Sequence, residues 1–158
     1  MIDTELVDRN IQRFVACLNS SHHHGHGIRT LNDIFTSDFV DKIFTYLDTT
    51  DRSLWHAESD RYFNSMPMIP RLKLSWHADT VVEELHMIFD AVTPAINDLY
   101  PERSRKFHGI SLWQDNNGYD INWHKDNPVI DVSVQVYLKG YQLCPGTEFE
   151  IPEKTLVV

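Results

Sequence analysis

The hydrophobic period of this chain changes once, close to Pro101, and that change limits the fold more than any other feature. Before it, apolar residues return every three or four positions; after it, they alternate. Val7, Ile11, Phe14, Val15 and Leu18 stand at helical spacing and predict an amphipathic helix over 4–18. A second helix is predicted from Ser37. Asp38 and Asp41 lie in its first turn, where carboxylates suit the helix dipole, and Phe39, Val40, Ile43, Phe44 and Leu47 form its apolar stripe. A third runs from Asp79 to Leu99, with Val81, Leu85, Ile88, Val92, Ile96 and Leu99 on one face. Pro94 lies inside it and should kink or split it, because proline has no N–H and its ring crowds the preceding turn. Ser20 to Thr30, SSHHHGHGIRT, shows no period and reads as a loop; Leu54 to Trp76 reads as short strands broken by loops.

After Pro101 the alternation predicts strands over 106–114, 119–124, 130–138 and 147–151, with Asp115-Asn116-Asn117-Gly118 as a turn between the first two. Helices first and strands afterwards describe an α+β domain, with helices packed on one side of a largely antiparallel sheet. The 158 residues make one domain, residues 1–100 forming a mainly helical support and 101–158 the strands; no repeat or linker divides them.

The strand Ile130 to Leu138 carries the clearest alternation. Val132, Val134, Val136 and Leu138 take one face, and Asp131, Ser133, Gln135 and Tyr137 take the other. A polar face of this kind meets either bulk water or the inside of a ligand cavity. In the preceding strand Asn122 and His124 share a face, and Asp126 joins them if the chain stays extended. An imidazole and a carboxylate side by side suit a first-row divalent metal, and one further histidine would complete a 2-His-1-carboxylate triad. The same H-x-D is also what a surface histidine gives when an aspartate opens a turn before Asn127-Pro128.

Composition narrows the partners. A net charge of −9, with no basic run laced with aromatics, argues against nucleic-acid phosphate as the main ligand. No apolar run reaches the length of a membrane span, and the first residues lack a basic-then-apolar leader, so no membrane partner is expected. Cys17 and Cys144 form no C-x-x-C pair and read as reduced thiols, which gives a cytoplasmic expectation. His22, His23, His24 and His26 form a tract that could hold Ni²⁺ or Zn²⁺ loosely, but a flexible loop does not pre-organise a site, so it reads as solvated. His56, His77, His86 and His108 read as structural or exposed side chains.

Three stretches together resemble a known superfamily. LWQDNNGYDINWHKDNP, Leu112 to Pro128, resembles the metal-binding hairpin of the 2-oxoglutarate and Fe(II)-dependent oxygenases. VQVYL and PGTEF resemble later strands of the prolyl-hydroxylase-like members, and PRLKLSW, Pro70 to Trp76, with the helix after it resembles the AlkB-like branch. The likeness spans residues 70–150. It implies a double-stranded β-helix, a distorted jelly roll supported by N-terminal helices, with Fe(II) and 2-oxoglutarate as cofactors. It also implies hydroxylation of a C–H bond in a protein or small-molecule substrate. His124 and Asp126 match iron ligands, and Tyr137 matches a residue that hydrogen-bonds the cosubstrate's distal carboxylate. Trp113 stands where many members carry a tyrosine or another aromatic, and Trp123, which alternation puts on the face opposite His124, is expected in the core.

The chain departs from the pattern in one respect. The family takes its second iron histidine and a cosubstrate arginine from late strands, whereas here no histidine follows His124 and no arginine follows Arg105. The resemblance therefore implies about the first half of the β-helix and a catalytically incomplete chain, with self-association through unpaired strand edges. Two alternatives stand beside hydroxylation: an AlkB-like nucleic acid oxidative demethylase, and a non-catalytic metal-binding or interaction fragment.

Overall fold

Three helices form where the apolar stripes predict them, in a computed structural model that describes residues 1–25, 27–57, 71–115 and 130–138 in full, and 148–151 and 154–157 by backbone. Helix α1 spans Thr4–Asn19, α2 Ser37–Thr49 and α3 Thr80–Leu99. The Asp3 carboxylate caps α1 by accepting from the Leu6 N–H at 3.0 Å, and Asp79 caps α3 by accepting from Val81 at 2.8 Å. Helix α2 is capped indirectly. Its N-cap Thr36 makes no side-chain cap bond; instead Asn10 of α1, fully buried, accepts from the Thr36 N–H at 2.8 Å and donates to Thr36 Oγ1 at 3.1 Å. The Asn10 amide also donates to Leu6 O at 2.8 Å, so its buried polar atoms are satisfied and α1 fixes where α2 begins.

Leu6, Val7, Phe14 and Leu18 of α1, Phe39, Ile43 and Tyr46 of α2, and Val81, Val82, Leu85, Ile88 and Val92 of α3 form one buried cluster. Edge-to-face ring pairs organise its centre: Phe14 meets Phe89 at 5.5 Å between centroids and Phe35 meets Phe39 at 5.3 Å. Each such pair contributes about 0.5–1.5 kcal/mol beyond the area it buries. Helix α3 continues through Pro94 without a split. Pro94 and Asp90, whose carbonyl loses its partner, are both exposed, so water can take up the orphaned oxygen.

The β structure is a set of small antiparallel sheets. Strands β1 (His22–Gly25) and β2 (Ile28–Thr30) form a hairpin where the sequence predicts a loop. Strands this short leave no measurable period, but Gly25 and Gly27 supply the turn, at φ +88° and +77°. Strands β3 (Trp55–Ala57), β4 (Leu72–Leu74) and β5 (Trp113–Gln114) make a three-stranded sheet with β4 in the middle. Leu74 is buried, with Leu54, Trp55 and Leu112 against the same core, so one side of this sheet rests on the helices. Strand β6 (Glu148–Ile151) pairs with β7 (Lys154–Val157), the first within the predicted 147–151 and the second not foreseen. Helices with antiparallel strands make the chain α+β.

Two predicted strands are corrected. Of 106–114 only β5 is regular, and it pairs with β4 upstream. Residues 116–129, with the predicted strand 119–124 and most of the turn, lie outside the described residues. Residues 130–138 form no strand. Their alternation persists in burial: Val132, Val136 and Leu138 are half-buried and Asp131, Ser133, Gln135 and Tyr137 exposed, with Val134 the exception at 40% exposure. Side-chain patterning reports which side faces apolar neighbours; it does not by itself supply a ladder partner.

One ion pair links all three helices. Glu84 is wholly buried; Lys42 Nζ lies 2.6 Å from each of its oxygens, with hydrogen-bond geometry to Oε1, and Oε1 also accepts from the Asp3 N–H at 2.9 Å. Removing the cation strands a charge in the core, which costs about 3 kcal/mol or more, whereas a neutral pair of similar shape is tolerated. Lys42→Ala is expected to lower unfolding free energy by about 3 kcal/mol, and Lys42→Met with Glu84→Gln to restore most of it. Urea unfolding of both variants checks this; a double variant no more stable than Lys42→Ala would rule out the stranded charge as the cause.

Candidate functional site

His124 and Asp126 lie outside the described residues, so their geometry is not part of the structure described here. Tyr137 is described. It is 57% exposed, and its hydroxyl donates to Gln135 Oε1 at 2.9 Å, two residues back on the face the alternation assigns to both. Asp131 on that face accepts from Arg103 at 3.1 Å. Among the described residues no three histidine, cysteine or acidic side chains converge on one point. The upstream histidines are dispersed. His108 is exposed, His56 Nδ1 lies 3.1 Å from Ser75 Oγ, and His86 sits edge-on to Phe107 at 5.3 Å.

His77 is the most strongly held of them. It lies between β4 and α3, not on a strand, and its Nδ1 is 2.9 Å from Ser75 O. A carbonyl can only accept, so Nδ1 carries the proton and Nε2 is left to accept from the Tyr46 hydroxyl at 3.0 Å. The two rings stack at 5.9 Å and 27°. Burial pushes the Tyr46 phenol above its ordinary range, and the carboxylate of Asp79 adds to the shift by opposing a phenolate. Tyr46 also borders an open cleft between α2 and the start of α3, lined by Lys42, Thr45, Thr49 and Asp79.

Elsewhere two exposed carboxylates are pulled below their usual range. A hydrogen bond from the Thr36 hydroxyl lowers Asp38, helped by the Phe39 N–H and Arg9, and the Ser53 N–H lowers Asp51. These are turn and cap interactions.

The outer face of the three-stranded sheet brings together residues the linear sequence keeps apart. In register, His56 stands opposite Lys73 and Lys73 opposite Trp113. Arg71 Cζ lies 4.7 Å and Lys73 Nζ 4.9 Å from the Trp113 ring centre, within cation–π range. Arg71 also grips Asp115 with two bonds, at 2.5 and 2.9 Å. Trp76, just after β4, is 78% exposed. Sequence reading missed this cluster because Trp113 joins it only through the pairing of β5 with β4. The one available signal was Arg71-x-Lys73, whose spacing puts two cations on one face of a strand.

Comparison with known proteins gives no match: no protein-family model, curated protein or solved structure is similar to this chain.

A raised phenol pKa stabilises the fold below the unfolded value, and that contribution is lost as pH rises through the folded value. Tyr46→Phe should therefore cost about 1 kcal/mol at neutral pH, the worth of the bond to His77, and make stability fall less steeply above about pH 10. Melting curves of both proteins from pH 7 to 11 measure this, and identical alkaline slopes would contradict it.

Proposed function

We propose that this chain is built on the plan of a 2-oxoglutarate and Fe(II)-dependent dioxygenase that hydroxylates a C–H bond of a protein or small molecule. The double-stranded β-helix, a jelly roll on helical supports, belongs to the same reading. The observation that carries it is the H-x-D of His124 and Asp126 inside LWQDNNGYDINWHKDNP, with Tyr137 on the polar side of the following segment. The α+β layering, three helices on one side of β4, is compatible with it.

The donor set fits the metal in kind. One imidazole nitrogen and one carboxylate oxygen, two residues apart on an extended chain, are what a facial Fe(II) site uses. When bound, Fe(II) with 2-oxoglutarate supplies the oxidising power for C–H hydroxylation. The part of the chain's own residues is to hold and orient: His124 and Asp126 hold the ion, and the Tyr137 hydroxyl, a donor, meets a carboxylate of the cosubstrate. A third imidazole and a cation for the cosubstrate are not assigned here. No histidine follows His124 and no arginine follows Arg105 in the sequence.

A second reading, oxidative demethylation of nucleic acid, has one observation in its favour: Arg71 and Lys73 set against Trp113. Cations beside an exposed indole are the elements of a stacking surface for single strands. The net charge of −9 opposes it.

Anaerobic calorimetry with Fe(II) tests the first reading. His124→Ala and Asp126→Ala should each weaken binding by about tenfold or more, since even outer-shell changes at metal sites cost that much. Unchanged affinity in both variants would overturn the assignment. Fe(II) binding through these residues together with succinate formation from 2-oxoglutarate and O₂ supports the dioxygenase. The same binding without succinate identifies a metal-binding module. Anisotropy of a labelled single-stranded oligonucleotide, lost on Trp113→Ala, would favour the second reading.

A further inference from the structure

The histidine tract that reads as a loop is half of a hairpin, and the hairpin is tied down at both ends. At its base Ser21 donates to Leu18 O at 2.7 Å and accepts from Arg29 at 3.1 Å, which joins β1, β2 and the end of α1. At its tip the Tyr100 hydroxyl donates to Gly27 O at 2.8 Å. Arg29 also lies 5.9 Å from the Tyr100 ring centre. The objection that a flexible loop cannot pre-organise ligands therefore no longer applies.

Within this frame β1 sets its histidines by strand geometry. The register shifts between His23 and Gly25, and His22 and His24 are in edge contact there, 4.4 Å between ring centres. Across the ladder His22 stands opposite Thr30, and Thr30 Oγ1 lies 2.9 Å from His24 Nε2, a neighbour that orients the second ring. His22 is exposed and lines a depression of about 180 Å³ with Cys17, Ser20, Ser21 and Thr30. Cys17 Sγ is turned to Asn32 O, 3.3 Å away.

We propose that His22 and His24 together bind one late first-row divalent cation such as Zn²⁺, at a site separate from His124 and Asp126. Paired imidazoles select Zn²⁺, Cu²⁺ or Ni²⁺ over Mg²⁺ and Ca²⁺, which prefer all-oxygen ligands. Among the described residues the two imidazoles are the donors that the proposal uses. The cation would link the two rings along β1, next to the C-terminal end of α1.

The test is calorimetric titration of the whole chain with Zn²⁺ in a His124→Ala, Asp126→Ala background, which removes the proposed iron ligands. One equivalent should bind. His22→Ala and His24→Ala should each weaken it by about tenfold or more, while His23→Ala and His108→Ala should leave it unchanged. Circular dichroism of each variant confirms that the helices remain. Full-strength binding in the His22→Ala, His24→Ala double variant, or equal loss on His23→Ala, overturns the proposal. Because the background lacks His124 and Asp126, failure here leaves the iron assignment standing, and the converse holds.

Discussion

The helical half of this protein is organised around a single buried carboxylate. Glu84 projects from α3 into the core, where a lone charge would not be tolerated, and its two partners come from the other helices: the Asp3 N–H at the start of α1 and Lys42 on α2. Each contact constrains one helix relative to α3. Asn10 adds the remaining link, from α1 to Thr36, the N-cap of α2. Two polar nodes add directional constraints to an apolar cluster whose packing is otherwise non-directional apart from its ring pairs.

What could be read from the sequence follows from that division. The helices were legible because an apolar stripe is a local property, repeated often enough over thirteen to twenty residues to be seen. The nodes were not. Asn10 and Glu84 stand at core positions of their stripes, and a polar residue there looks like an error in the pattern until its partner, 26 or 81 residues away, is known. The strands were legible only as alternation. Residues 130–138 keep the burial expected of a strand without pairing as one, and β5 pairs with β4 across α3, which no local pattern encodes. The histidine hairpin was missed for the opposite reason: strands of three and four residues are too short to display a period, so the two glycines were the only cue. For the candidate site, sequence supplied the donor types and their spacing, together with the face of Tyr137. Distances between ligands are tertiary facts and were never in it.

The sheet that carries the cationic face takes its orientation from the helices. Strand β4 turns Leu72 and Leu74 inward and Arg71, Lys73 and Ser75 outward by simple alternation. Leu74 is buried at 7% exposure, so the inward side is fixed by the core and the outward side follows. Three residues after Leu74 the Tyr46–His77 bond fastens the chain to α2, and Asp79 then caps α3. A slip of β4 by one residue would bury Lys73, expose Leu74 and detach His77 from Tyr46 at once. The register is therefore held by three independent penalties, and the cluster of Arg71, Lys73 and Trp113 is a consequence of that register.

The same reasoning separates the chemistry at the two ends of the chain. On the anchored hairpin His22 is exposed and His24 half-buried, so the proposed cation would be reached directly from solvent. An oxidation site has a different requirement, because its reactive complex must be shielded from water. Tyr137 is 57% exposed, so among the described residues the polar face of 130–138 is open. Under the dioxygenase proposal, that face is enclosed once 2-oxoglutarate and Fe(II) are bound. Hydrogen exchange across 130–138, slowed by 2-oxoglutarate with Fe(II) but not by 2-oxoglutarate alone, would be its signature.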